Sequence, residues 1–114
     1  MLVSEDPMNF DVKIADLGFA CQFSPETGLD LVLGTPLYMA PELVQHQQYS
    51  EKVDVWSLGI ITYQLLSGKT PFDGKNIKKI NQYILQKEVK FPSKQWRHIS
   101  ENAKDFIRLC LTRE

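Results

Sequence analysis

"GTPLYMAPE" (residues 34–42) fits neither regular period. Leu37, Tyr38, Met39 and Ala40 run together, without the alternation of a strand and too briefly for the stripe of a helix. Pro36 and Pro41 punctuate the run, and the residue ahead of each proline is biased away from helix. The stretch is therefore a loop, and an apolar one. Such a loop stays in place only if something packs or pins it.

The surrounding composition is that of an ordinary globular protein: 114 residues, 43% hydrophobic, 24% charged, with a formal net charge of −1. That balance gives no electrostatic reason to expect nucleic acid or an acidic membrane as a partner. Cys21 and Cys110 lie far apart with no CxxC spacing, which argues against a disulfide scaffold or a zinc site and for a reducing compartment. The opening "MLVSEDPMNF" lacks the basic and apolar blocks of a signal peptide. The most apolar region, residues 53–66, is interrupted by Asp54, Ser57, Thr62 and Gln64 and is too short and too polar to span a bilayer. A soluble, cytoplasmic protein is expected.

Two short apolar pieces, residues 2–3 and 12–14, flank turn chemistry at Asp6-Pro7 and Asn9, which suits a small β-hairpin. Residues 15–39 carry no helical stripe and read as one long loop, a length that compact domains mostly reserve for functional segments. Pro41 can open a short helix reaching about Gln45. Ser50 caps the next helix, residues 51–67, which is apolar on most sides and so reads as buried all round; Gly68 ends it. Ile77, Ile80 and Ile84 mark an amphipathic helix over residues 76–86, and "KFPSKQWRHI" reads as irregular. Ser100 caps a last helix with the stripe Ala103, Phe106, Ile107, Cys110 and Leu111. Two amphipathic helices and a loop can cover only about half of a helix that is apolar all round. The chain thus reads as a piece of something larger.

"KIADLG" (residues 13–18) sets an aspartate after a strand and ahead of a glycine, which alone is an ordinary turn. It stands at one end of the long loop, and "GTPLYMAPE" stands at the other. "DVWSLG" (54–59) and "LLSGKTPFDG" (65–74) follow. Four signatures in this order resemble the C-terminal lobe of a eukaryotic serine/threonine protein kinase, from the metal-binding segment through the activation loop and Ala-Pro-Glu to the helices behind it. "YSEKVDVWSLGIITYQLLSGKTPFDG" and "FPSKQWRHISENAKDFIRLCL" look most like the calcium/calmodulin-regulated group, in particular calcium-dependent protein kinases. The resemblance implies a mainly α fold: a kinase C-lobe fragment with a short N-terminal β-hairpin, a long activation loop and about four helices. Residues 1–114 would form one partial kinase domain.

What the resemblance implies for single residues is specific. Asp16 would bind Mg²⁺, a hard cation that takes one or two carboxylates plus phosphate oxygens. Gly18, with Asp16, would serve the ATP site and let the backbone swing. Leu17 stands where the family usually has phenylalanine, and leucine can fill the same apolar pocket with less area. Thr35 would bond the catalytic loop, and Thr35, Pro36 and Leu37 would shape the wall against which a protein substrate docks. Glu42 would pair with an arginine beyond Glu114, and Asp54 would accept catalytic-loop N–H groups; both roles are structural. Leu31 occupies the position where loop-phosphorylated kinases carry Thr or Ser, leaving Ser24 and Thr27 as alternative acceptors. The partners implied are ATP and a protein substrate, with a regulatory calcium-binding domain outside this chain.

His46 and His98 lack metal-like spacing and read as surface residues, Trp56 and Trp96 as core, and Lys75, Lys78 and Lys79 as a solvated helix face. The phosphate-clamping glycine loop, its lysine and the His-Arg-Asp catalytic loop do not occur in these 114 residues. Two functions follow: part of a kinase that transfers the ATP γ-phosphate to protein Ser or Thr, or a non-catalytic kinase-lobe remnant acting as an interaction module. Under either, the 114-residue chain alone is expected not to turn over ATP and to bind a hydrophobic dye strongly. Sharp two-state unfolding without dye binding would contradict the second expectation.

Overall fold

The computed structural model describes residues 2, 3, 8, 12–26 and 28–113. Strands β1 (Leu2–Val3) and β2 (Val12–Lys13) pair antiparallel, with Leu2 opposite Lys13 and Val3 opposite Val12. The turn chemistry at Asp6, Pro7 and Asn9 lies outside the described residues. A loop without regular structure follows, touching the rest of the chain through an isolated antiparallel bridge between Leu29 and Tyr49. A single 3₁₀ turn (Pro36–Tyr38) and a short helix α1 (Pro41–Val44) each open on a proline, whose fixed φ suits a first helical position.

Helix α2 (Lys52–Ser67) is the centre of the molecule. The Ser50 hydroxyl accepts the Lys52 N–H at 3.3 Å, and Gly68 stops the helix in the left-handed region (φ 71°), its N–H donating to the Gln64 carbonyl at 2.8 Å. Helix α3 (Ile77–Gln86) is capped by Asn76, whose side chain accepts the Lys79 N–H. Helix α5 (Glu101–Cys110) is capped by Ser100, which accepts the Ala103 N–H. Between them a four-residue helix, α4 (Ser93–Trp96), replaces the irregular stretch expected from the sequence. One turn is too short to show a period, and α4 is held instead by the burial of Trp96.

The core is built on one side of α2. Trp56, Ile60 and Tyr63 meet Phe72, Ile80 and Ile84 of the loop and α3, Trp96 of α4, and Ile107 and Leu111 of α5. Trp96 lies 4.7 Å from both the Tyr63 and Phe91 rings, edge-on to the latter, while Trp56 stacks on Phe72 at 5.9 Å. The buried Tyr63 hydroxyl donates to the Lys90 carbonyl at 2.8 Å, and burial pushes its pKa up. Arg113 fastens the end of α5 to the end of α3, donating to the carbonyls of Ile84 and Lys87. Its guanidinium also lies over Trp56 and Phe72. Burial lowers its pKa, and Glu88 opposes that shift.

Two expectations need correction. Helix α2 is not buried all round: Val55 is 47% exposed, Leu58 48% and Leu65 70%, because no described element covers that side. Ile77 and Phe106 belong to the apolar stripes of their helices but are exposed, at the edges of the faces that Ile80 with Ile84 and Ile107 with Cys110 bury. With α4 the described α-helices number five, in keeping with the mainly helical fold expected.

The closest approach in the core fixes a measurable prediction. A Cβ built at Gly59 would lie 2.7 Å from Cys110 Cβ and 2.9 Å from Leu111 Cδ2. Helix propensity alone would favour Gly59→Ala by roughly 0.8–1.0 kcal/mol. The backbone-fixed clash outweighs it, so Gly59→Ala is expected to lose stability and Gly59→Val to lose about 1–3 kcal/mol, read by urea denaturation of the protein in which this segment is joined to an upstream lobe. A stabilised alanine variant would mean that α2 and α5 sit further apart. The same packing predicts two thiol classes. Cys110 is buried and burial raises its pKa, while Cys21 is exposed. A disulfide reagent at neutral pH should therefore titrate one thiol promptly and the second only on unfolding.

Candidate functional site

Asp16 lies three residues beyond the end of β2 and is exposed. Its φ of 63° lies in the left-handed region, which aspartate tolerates better than most residues and which costs of order 1–3 kcal/mol unless the surroundings demand it. The Ala20 N–H donates to the Leu17 carbonyl at 3.0 Å, closing a tight turn around Gly18. A Cβ on Gly18 would sit 3.4 Å from Asp16 Oδ1, so glycine leaves that carboxylate oxygen open on one side. Leu17 and Phe19 point into solvent and are both 69% exposed. This end of the loop thus offers one accessible hard oxygen donor, beside a residue that cannot obstruct it. Among the described residues no group of three or more His, Cys, Asp or Glu has metal-site geometry. A cation held here would therefore need ligands from its own counter-ion and from water.

The other end of the loop is pinned. Thr35 is extended and exposed, and its carbonyl accepts the Tyr38 N–H at 3.0 Å. Pro36 opens the 3₁₀ turn, and Leu37, Tyr38 and Met39 pack against the core from its edge. The Tyr38 hydroxyl donates to Gln64 Oε1 at 2.9 Å. The Ser57 hydroxyl lies 2.9 Å from the Tyr38 carbonyl and 3.1 Å from that of Val53. The apolar loop is therefore held by prolines from within and by two polar side chains of α2 from without. Ser57 and Gln64 read in the sequence as mere interruptions of an apolar helix. Their spacing of two helical turns puts them on one face, and that was the available signal.

The expected site residues do not form one contact network. No hydrogen bond or ion pair between described residues joins Asp16 or Gly18 to Thr35, Pro36 or Leu37. Glu42 is half-buried in the first turn of α1 and borders an open cavity of about 650 Å³ together with Trp56 and Cys110. The ion pairs between described residues lie on α5, among Glu101, Lys104, Asp105 and Arg108, and none engages Glu42. Asp54 sits in the first turn of α2, where it suits the helix dipole, and its side chain is exposed. Ser24 is committed to its own turn, its hydroxyl accepting the Glu26 N–H at 3.4 Å, while Thr27 lies outside the described residues. No described helix is long and apolar enough to cross a membrane.

Comparison with known proteins agrees with this architecture. The model of the protein kinase domain matches residues 1–114. The chain is 40% identical over 114 residues to the serine/threonine-protein kinase ATG1a of Arabidopsis thaliana, covering 99% of this chain and 18% of that protein. It is 44% identical over 110 residues to calcium/calmodulin-dependent protein kinase type I of Schizosaccharomyces pombe, covering 95% of this chain and 32% of that protein. Against myosin light chain kinase 2 of Mus musculus it is 40% identical over 103 residues, covering 90% of this chain and 17% of the relative. The chain thus spans between about a sixth and a third of the length of these relatives. With a mainly helical fold of kinase C-lobe type and a matched span running from end to end, the chain belongs to the protein kinase domain family.

Proposed function

We propose that this chain supplies the activation segment and helical lobe of a serine/threonine protein kinase, which transfers the γ-phosphate of ATP to Ser or Thr of a protein substrate. Residues 1–114 form one partial kinase domain in this reading, and the nucleotide-clamping lobe and catalytic loop come from outside them. The observation that carries it is the arrangement of one loop. It begins at an accessible aspartate in a left-handed turn and ends at an apolar wall pinned to the central helix.

The residues present fit magnesium and ATP as far as one carboxylate can. Asp16 would hold the metal, and Gly18 leaves its oxygen unobstructed. Magnesium-bound ATP supplies the phosphoryl group and neutralises its oxygens when bound. Thr35, Pro36 and Leu37 orient the incoming peptide. Their backbone is held by Tyr38, Ser57 and Gln64, so little ordering entropy remains to be lost on docking. Asp54 and Glu42 act as structural anchors for segments outside the chain. Asp54 stands on the uncovered side of α2, and Glu42 borders a cavity without a cationic partner among the described residues.

The finer assignment is to the calcium-dependent group, with a regulatory calcium-binding domain elsewhere in the protein and a cytoplasmic location. Its support is 44% identity to a kinase whose name includes calcium/calmodulin dependence and 40% to a myosin light chain kinase, against 40% to the plant ATG1a enzyme.

The test uses the protein in which this segment is joined to an upstream lobe. Phosphate transfer from labelled ATP to a protein Ser or Thr is expected. Asp16→Asn is expected to lower kcat on the order of 100- to 1000-fold, with folding unchanged, because electrostatic stabilisation of the moving phosphoryl group is lost. Full activity in the Asp16→Asn protein would remove Asp16 from the site. Absence of transfer in the wild type, with retained binding of another protein, would favour the interaction-module reading.

A further inference from the structure

The bridge between Leu29 and Tyr49 is a complete hydrogen-bonded pair: the Leu29 N–H donates to the Tyr49 carbonyl at 3.0 Å and the Tyr49 N–H returns to the Leu29 carbonyl at 2.9 Å. The Tyr49 side chain adds a third bond, its hydroxyl donating to the Leu31 carbonyl at 2.6 Å. Three bonds thus join residues 29–31 of the loop to the residue just ahead of α2. The approach to the bridge is also built. The Gly28 N–H donates to the Ser24 carbonyl at 3.0 Å, and Gly28 takes a left-handed φ of 62° that turns the chain into the pairing. Beyond the bridge, the side chains of Leu31 and Leu33 are exposed. Among the described residues between the turn at residues 17–20 and the pinned wall at residues 35–39, this clasp carries the backbone hydrogen bonds that tie the loop to the rest of the chain.

We propose that Tyr49 is an intramolecular latch: it clips the activation segment to the loop after α1 and so sets the path of the chain into the wall at residues 35–37, with no modification of the segment itself. Leu31 has no hydroxyl to phosphorylate, and the latch fastens that residue through its carbonyl instead. Like any tyrosine, Tyr49 keeps its hydroxyl proton at neutral pH and can donate it; desolvation, and then the Cys21 thiol and the Asp30 carboxylate nearby, push its pKa further up. A phosphate on Tyr49 would remove that donor and set negative charge beside Asp30, which opens the clasp.

The functional consequence rests on the kinase reading, but the latch itself does not, and its test needs no nucleotide. Amide hydrogen exchange is compared, in the protein in which this segment is joined to an upstream lobe, for the wild type, Tyr49→Phe and Gly28→Ala. In the wild type the Leu29 and Tyr49 amides are expected to exchange more slowly than those of Phe19 and Gly34. Tyr49→Phe, which keeps the ring and deletes only the hydroxyl, is expected to speed both amides about three- to tenfold, leaving the Ile60 and Ile107 amides unchanged. Gly28→Ala strains the same clasp from the loop side and is expected to release the same two amides. The latch is refuted by unprotected Leu29 and Tyr49 amides in the wild type, or by a Tyr49→Phe protein that exchanges like the wild type. Acceleration spread evenly over α2 and α5 refutes it too, since the hydroxyl would then support the fold at large. Failure of phosphate transfer leaves all of these outcomes readable, and failure of the latch leaves the Asp16 test untouched.

Discussion

Helix α2 is apolar on most of its sides, and that single fact sets the terms for every other element. A helix of this kind cannot rest on a surface; it has to be surrounded. The chain surrounds half of it. Helices α3, α4 and α5 and the Phe72 loop close over Trp56, Ile60 and Tyr63, with α5 drawn in at Gly59 to a distance that no side chain there would permit. The remaining side carries Val55, Leu58 and Leu65 into solvent with Asp54 among them. Such a contiguous apolar face on a central helix marks a contact surface rather than a finished exterior.

The same helix is what turns a flexible loop into a defined surface. Loops carry function when a rigid scaffold positions them. Here Ser57 and Gln64 reach from α2 to the backbone and hydroxyl of Tyr38, and the prolines on either side limit what the chain between them can do. The opposite end, around Asp16, has a different character: a turn with an exposed carboxylate and two large apolar neighbours, Leu17 and Phe19, facing water. One end of the loop is therefore committed and the other is free to rearrange, a division suited to a segment that must present a fixed wall and still open around a ligand.

Much of this was legible in the residues. Gly68 and Ser100 announced the helix boundaries because their chemistry is local, a left-handed stop and a hydroxyl cap that need only a few neighbours. The apolar, proline-bounded loop announced that something held it, and the order of four signatures announced the family. What could not be read was whatever depends on distant partners. Helix α4 is too short for a period and exists because Trp96 finds Tyr63 and Phe91. Ile77 and Phe106 satisfy their stripes yet face solvent, since a stripe gives a direction and not a neighbour. The bond of Tyr49 was not legible, because a hydroxyl partner 18 residues back leaves no trace in spacing.

Arg113 has an implication of a practical kind. Through one guanidinium it closes the carbonyl end of α3, roofs the Trp56–Phe72 stack and draws the tail of α5 inward. It is also the last described residue of the chain. Trimming the C-terminus by so little as two positions would strip that clasp and leave two carbonyls and an aromatic pair open to water. Any shortened version prepared for study should accordingly keep Arg113, and an appended tag should be spaced away from it so that the guanidinium keeps its seat.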